Sequence, residues 1–360
     1  MMFEIKSTDR EARTGEFTVN GKKAKTPFFM PVATRGGVKT LTSEDLHEIG
    51  TQVIISNMYH LLMKPGVEII EDAGGLHEFM NWDGIIFTDS GGFQMIRKDF
   101  EKNISEDGVE FTSEYDGGTH YMTPEKCIKT QKKMGSDIAM CLDYCPPYPA
   151  NRGEIEKSVD RTTKWAKRCR ESGENVFGIS QGGTIPELRK ESSQQITDLN
   201  FEGNAIGGLS IGEPQDVMYE NTRAAVEVFP ENKPRYFMGL GSPADILECI
   251  GMGVDIFDSA YPTRNARHRT VFTKDGSIRI DKSDYKDDYT PLDEDCDCPT
   301  CRNYFKSYIH HLCKSDELAW MRMASVHNLY FLLNMMKNAR KSIREGRFYE
   351  FKTDFKKRYM

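Results

Sequence analysis

Residues 176–208 read VFGISQGGTIPELRKESSQQITDLNFEGNAIGG: an apolar run, a polar turn with paired glycines, a helical stretch, and a second apolar run closing on another glycine pair. The unit recurs along the chain. Apolar runs occur at FFMPV (28–32), QVIIS (52–56), GIIFT (84–88), DIAMC (137–141), VFGIS (176–180), NAIGG (204–208), RYFMG (235–239) and VDIFD (254–258). Unbroken apolar runs that alternate with helices are how strands buried on both faces of a parallel sheet read. Eight units predict an α/β fold closed as a (β/α)8 TIM barrel. An open doubly wound sheet would be expected to carry G-x-G-x-x-G after its first strand, and FFMPVATRGG is not that pattern.

Working outward, GEFTV (15–19) and KAKTP (23–27) flank Asn20-Gly21, which predicts an N-terminal β-hairpin. Connecting helices are predicted over 153–172 and 242–251, the second with Pro243 in its first turn. TVFTKDGSIRI (270–280) predicts a second hairpin turning at Asp275-Gly276. Beyond an acidic linker, Leu318, Met321, Leu329, Leu333 and Met336 keep helical spacing and predict one long helix over 315–346. The expected organisation is a barrel with its two hairpins over 1–280 and a helical subdomain packed on it over 281–360.

Composition bounds the function. The 360 residues are 38% hydrophobic and 29% charged, enough for a soluble globular core. No apolar run approaches the ~18 residues a membrane helix needs, and MMFEIKSTDREARTGE has no signal-peptide core. The net charge of −7 excludes a globally basic nucleic-acid binder. Two local basic stretches remain, 264–282 and 337–360, and these are also what an ordinary solvated surface looks like. Nine cysteines without a secretory signal point to a reducing cytoplasm.

Catalytic groups in a TIM barrel sit at the C-terminal ends of the strands. Here that register holds Asn57, Asp89, Asp143, Gln181, Gly208-Leu209, Met238-Gly239 and Asp258. Any one Asp between strand and helix can be simply an N-cap. Three of them with a Gln in one register instead predict carboxylates converging on one mouth. The pairs Gly91-Gly92, Gly182-Gly183 and Gly207-Gly208 permit close backbone approach to a flat ligand, with Phe93 and Met238 placed to sandwich it. No His stands at a strand end, which argues against a His-based nucleophile relay. Paired carboxylates without His suit chemistry at a sugar anomeric carbon. Separately, Cys296, Cys298 and Cys301 form C-x-C-x2-C and need one more ligand for tetrahedral zinc; His310, His311, Cys313 and His327 are all candidates by spacing.

The motifs TDSGGFQM (88–95), DYCPPYPA (143–150), ISQGG (179–183), GGLSIGEP (207–214), MGLGSP (238–243) and FDSAYPTRNAR (257–267), with the cysteine cluster and HNLYFLL (327–333), together resemble the tRNA-guanine transglycosylases of bacterial type. The resemblance runs in order over about residues 13–346. It implies exchange of guanine at the tRNA wobble position for a 7-deazaguanine base, 7-aminomethyl-7-deazaguanine or queuine, by a ping-pong route in queuosine biosynthesis. Asp258 matches the nucleophile that forms a covalent bond to ribose, and Asp89 the general acid/base. Asp143, Gln181, the Gly208 N–H, the Leu209 carbonyl, Ser90 and Cys145 match the base-binding set, with Phe93 and Met238 as the faces of the sandwich. Arg264 and Arg267 match residues that grip the nucleotides beside the wobble base. His327 completes Cys296, Cys298 and Cys301 around one structural Zn2+ per chain, which would set the basic C-terminal stretch beside the barrel mouth. The implied partners are tRNA, the deazaguanine base and a second copy in a homodimer, with no membrane.

Departures from the common pattern are Tyr144 where Glu is frequent, and FDSA for Phe-Asp-Cys-Val. Ile211, where eukaryotic queuine users carry Gly, leans towards the smaller aminomethyl base. Two other readings exist. One is a non-catalytic tRNA-binding partner subunit, which would be expected to lose the acids. The other is a zinc hydrolase, which would need His ligands at the strand ends.

Overall fold

The structure, a computed structural model, describes residues 1–96 and 101–359. It opens with an antiparallel sheet of β1 (Met2–Asp9), β2 (Ala12–Val19) and β3 (Lys22–Thr26). The expected β2–β3 hairpin turns at Asn20-Gly21, with φ of +50° and +78°, the left-handed pair that a tight two-residue turn requires. The addition is β1. Its MFEIKSTD alternates exposed and half-buried residues and so carries no apolar run to betray it.

The barrel strands follow: β4 (Phe28–Pro31), β5 (Val53–Asn57) and β6 (Ile85–Asp89). A small antiparallel sheet is then inserted, β7 (Glu101–Ile104), β8 (Val109–Thr112) and β9 (Thr119–Met122), which the sequence reading missed. The barrel resumes with β10 (Ile138–Met140), β11 (Val176–Ser180), β12 (Gly203–Ile206), β13 (Arg235–Phe237) and β14 (Ile256–Ser259). All eight lie parallel in the order β4-β14-β13-β12-β11-β10-β6-β5. The cylinder closes where Val32 bridges Ile55 and Ala33 N–H donates to the Ile55 carbonyl at 2.7 Å.

Phe17 of β2 packs at the axis against Phe28, Phe87 and Phe177, with centroids 6.0–6.2 Å away. Phe87 in turn meets Tyr236 at 6.2 Å. This column of rings fills the interior and hands over, one layer up, to the polar ends of the strands.

The expected helices are present as Arg152–Glu171, started by an Asn151–Glu154 capping box, and Pro243–Gly251. The second hairpin is β15 (Thr270–Thr273) with β16 (Gly276–Arg279). Its turn is Lys274-Asp275, one residue earlier than expected. Thr273 pairs directly with Gly276, and Lys274 N–H is held by the Asp293 carboxylate at 2.6 Å.

The expected long helix over 315–346 is present as Ala319–Arg344; a separate helix not expected from the sequence, Lys306–Lys314, precedes it, and Asp316 between the two has φ of +54°. Leu318 therefore faces solvent at 75% exposure, whereas Leu329 and Met336 are buried as the spacing required. A last helix, Phe348–Tyr359, lies along Pro243–Gly251. Lys352 and Lys356 both pair with Glu248 there, at 2.6 and 2.7 Å, so part of the C-terminal basic stretch is neutralised against the barrel wall.

The N-terminal sheet is bolted to the barrel by a buried ion pair. Arg13 donates to both Asp255 carboxylate oxygens at 3.0 and 2.5 Å and to the Glu231 and Lys233 carbonyls, while Arg235 N–H donates to Asp255 at 2.8 Å. Removing one partner strands the other charge in the interior. Arg13→Ala is expected to lose about 3–5 kcal/mol in urea unfolding, and Arg13→Ala/Asp255→Ala distinctly less than the sum of the singles. Additive losses would show that the pair is not coupled.

Candidate active site and metal centre

Strand register brings the polar residues together. A cavity of about 210 Å³ at the C-terminal ends of the strands is lined by Asp89, Phe93, Asp143, Cys145, Gly207, Gly208, Leu209, Ile211, Tyr236, Met238, Gly239 and Asp258, among others. Among the described residues, two of the other clefts are larger. One, about 350 Å³, lies among Arg10, Arg13, Arg223 and Arg235 at the base, and the other, about 340 Å³, beside Leu41, Phe79 and Met80. Neither is lined by a strand-end carboxylate, so chemistry rather than size selects the smaller cavity.

The three acids have different settings. Asp258 accepts the Tyr236 hydroxyl at 2.5 Å and the Gly239 N–H at 2.8 Å, both on Oδ1, and no described residue donates to Oδ2. Asp89 accepts Asn57 Nδ2 at 2.8 Å on one oxygen and Gly91 N–H at 3.3 Å on the other. Asp143 accepts Gln181 Nε2 at 2.6 Å. Burial pushes the Asp89 carboxyl up to about 6, with the Asp258 charge adding to it. Burial likewise pushes Asp143 up to about 7, helped by Asp89. Asp258 is also raised by burial, against the pull of Tyr236 and Gly239.

Glycines make room for this. A Cβ on Gly92 would come within 2.9 Å of the Asp143 carbonyl, and one on Gly208, whose φ is +70°, would strike Gln181 Oε1. That oxygen is buried and has no partner among the described residues. Gln181 thus faces Asp143 with its nitrogen and the Gly208 loop with its oxygen.

Ser90 is buried and accepts the Gly92 N–H at 3.2 Å, shaping the turn behind Asp89 without lining the cavity. Phe93 is half exposed at the rim. Arg264 and Arg267 lie on the helix Tyr261–Arg267 that follows β14. Arg264 is exposed, and Arg267 has a buried Nη1 with no partner among the described residues; burial and the neighbouring Arg264 charge lower the Arg267 guanidinium.

Two contributors were not singled out from the sequence. Tyr236 lies inside an apolar run, RYFMG, and only inward parity with Met238 would have marked it. Arg189 sits on a connecting helix, Pro186–Asp198, as one cation in a polar stretch.

Cys296, Cys298, Cys301 and His327 offer ligand atoms all within 4.8 Å of one another. His327 Nδ1 lies 3.6, 3.5 and 3.2 Å from the three sulfurs, bracketing the roughly 3.5 Å that tetrahedral zinc with ordinary Zn–S and Zn–N bonds imposes. His327 Nε2 is 2.6 Å from the Phe272 carbonyl, which places a proton there and frees Nδ1 for a metal. Cys301 N–H donates to Cys298 Sγ at 3.3 Å. The other spacing candidates are elsewhere: His310 bonds the Ile280 carbonyl, and neither His311 nor Cys313 belongs to the group. The four residues can hold a metal ion, and the donor set fits zinc.

Fold and site define a barrel enzyme with three carboxylates in one strand-end cavity and, outside that cavity's lining, a Cys3His group that could hold a metal ion. Comparison with known proteins agrees. Residues 8–360 match the family model described as queuine tRNA-ribosyltransferase. The chain is 50% identical over 359 residues to the queuine tRNA-ribosyltransferase of Thermoanaerobacter pseudethanolicus, covering 98% of this chain and 96% of the relative. It is 47% identical over 364 residues to that of Fusobacterium nucleatum, covering 99% and 98%. The chain belongs to the queuine tRNA-ribosyltransferase family, and it is a transferase.

The crowded acids carry a cost. The Asp89 pKa in the folded chain lies above its unfolded value near 3.8, so its ionised form destabilises the fold. The penalty, up to about 3 kcal/mol, is fully present above pH ~6 and vanishes as pH falls below ~4. Asp89→Asn is expected to melt at least about 2 °C above the unmodified protein at pH 8 and no higher than it at pH 4; equal melting at pH 8 would contradict the electrostatic reading. Cys301→Ala is expected to lose most of its bound zinc by elemental analysis and to melt lower. Unchanged metal content would remove the cluster from consideration.

Proposed function

We propose that the protein is a tRNA-guanine transglycosylase that replaces wobble guanine with a 7-deazaguanine base through a covalent Asp258–ribose intermediate. The observation that carries this is the contrast between two acids in one cavity. Asp258 has one oxygen tied by two donors and the other bare, suited to in-line attack. Asp89 sits near neutrality, suited to moving a proton. Asp258 Oδ2 attacks C1′, the C1′–N9 bond breaks, and its electron pair leaves with the purine, which takes a proton from Asp89. The deazaguanine then enters, Asp89 removes the proton from its ring nitrogen, and that nitrogen attacks C1′ and releases Asp258.

Asp143 accepts the N–H groups of the base's amidine edge, which draws it into the ionised form. The Gly208 N–H, with Gln181, takes the base carbonyl, and the Leu209 carbonyl meets the substituent of the incoming base. Ser90 and Cys145 complete the base-binding set from behind and beside it. Phe93 and Met238 cover the two faces. Ile211 at the cavity wall favours the aminomethyl base over queuine. Arg264 and Arg267, adjacent guanidiniums without a carboxylate partner among the described residues, grip the flanking nucleotides. All three acids are present, which disfavours a silent partner subunit.

Cys296, Cys298, Cys301 and His327 hold one structural Zn2+ that, when bound, ties the 281–360 subdomain to the 1–280 barrel and takes no part in the exchange. A second copy docks on the exposed aromatic patch of Tyr289, Tyr304, Phe305 and Tyr308. The enzyme works in the cytoplasm.

Asp258→Asn is expected to bind wobble-guanine tRNA but to give no protein–RNA adduct on a denaturing gel and no incorporation of labelled guanine. Incorporation at the unmodified rate would overturn the assignment.

A further inference from the structure

Arg189 is a buried cation with no acid to answer it. Its side chain is 0% exposed, and no carboxylate pairs with it among the described residues. The guanidinium instead donates to three main-chain carbonyls: Nη1 to Ser180 at 3.0 Å and to Gly207 at 2.8 Å, and Nη2 to Gly183 at 2.8 Å. Nε has no partner. Burying a charge this way is costly, and burial lowers the group to about 10, still protonated at neutral pH. An apolar side chain would pack the wall of a barrel without that cost, so the guanidinium calls for a role besides packing.

The acceptors say what it is. Ser180 and Gly183 flank the Gln181-Gly182 turn after β11, and Gly207 stands just after β12, so one fork ties together the turn whose Gln181 holds Asp143 and the loop that lines the cavity. Gly182 is pressed onto the helix: a Cβ there would lie 2.5 Å from the Arg189 backbone. Ser192, three residues along, accepts the Gln181 N–H at 2.9 Å.

The Gly207 carbonyl and the Gly208 N–H belong to one peptide unit, which is trans, so they point in opposite directions. Fixing the carbonyl on Arg189 aims the N–H away from the helix, where Gly208 borders the cavity. No described residue accepts that N–H. A cation on the carbonyl oxygen also polarises the amide and makes its N–H a stronger donor.

We infer that Arg189 is a positioning residue that orients and strengthens the Gly208 N–H as the donor to the base carbonyl. The inference rests on the proposed transglycosylase reading of the cavity and deepens it. When the C1′–N9 bond breaks, the electron pair entering the purine is delocalised onto that carbonyl oxygen. The N–H held by Arg189 meets the charge as it develops, before Asp89 supplies the proton. Lys would not replace it, since an ammonium lacks the flat fork that spans two loops.

The test compares guanine with 6-thioguanine, which keeps the ring N–H and amino group and offers a weaker acceptor in place of the carbonyl. Both are measured as competitors of labelled guanine exchange and by equilibrium binding, with wobble-guanine tRNA binding measured alongside. The unmodified enzyme is expected to prefer guanine by about tenfold, as one good hydrogen bond allows. In Arg189→Met the guanine KM is expected to rise about tenfold and the preference to fall within about twofold, while tRNA affinity stays within about twofold.

Arg189→Lys is expected to lose most of the preference as well, and it carries the comparison should Arg189→Met fail to fold. An unaltered preference in the folded variants, or parallel loss of both bases and tRNA, would overturn the role assigned to Arg189. No preference in the unmodified enzyme would instead overturn the Gly208 reading of the cavity, and this inference with it.

Discussion

Closure of the barrel between Val32 and Ile55 is the constraint from which the site follows. It turns eight strand ends that are far apart in sequence into one rim, above a buried column of aromatic rings. Asp89, Asp143 and Asp258 are then held in a poorly solvated cavity where their charges repel. The fold tolerates this because donors are supplied one by one: Asn57 for Asp89, Gln181 for Asp143, Tyr236 and Gly239 for Asp258. Carboxyls that resist full ionisation suit the N–H-rich base of the proposed function.

The same economy appears in the second layer. Arg189 supplies charge to main-chain carbonyls rather than to an acid, so the loops after β11 and β12 are set by one rigid fork. Arg13 does the equivalent at the opposite end, joining the N-terminal sheet to Asp255. One cation stabilises the base of the barrel, the other shapes its mouth. The long helix Ala319–Arg344 links these to the metal-binding cluster. His327 reaches the cysteines from one turn of it while Leu329, Leu332 and Met336 enter the barrel-side core.

Much of this was legible in the chain. Runs such as VFGIS and GIIFT are apolar throughout because both faces of a barrel strand are covered, so their number and spacing announce the architecture. Polar residues at or just beyond the ends of several runs mark the rim: Asp89, Asp143 and Asp258 line one cavity, and Gln181 is buried beside it and donates to Asp143. What escaped has common causes. β1 is long but alternates exposed and half-buried residues, and the strands of the β7–β9 insert are only four residues each, so neither carries an apolar run to mark it. The sequence reading marks the helix Lys306–Lys314 only by its candidate metal ligands, His310, His311 and Cys313.

By itself the sequence determined the parallel barrel, the rim residues and the C-x-C-x2-C cluster, because each is written in local pattern or in fixed spacing. Spacing left His310, His311, Cys313 and His327 open, the family resemblance implied His327, and the tertiary structure brings His327 to the cysteines; only the tertiary structure decided that Asp258 keeps one oxygen bare. It alone revealed that Tyr236 belongs to the site and that Arg189 grips Gly207. Those pairings connect residues 18 to 31 positions apart, on different elements. Contact at such separations is set by how elements pack, and no local periodicity carries it.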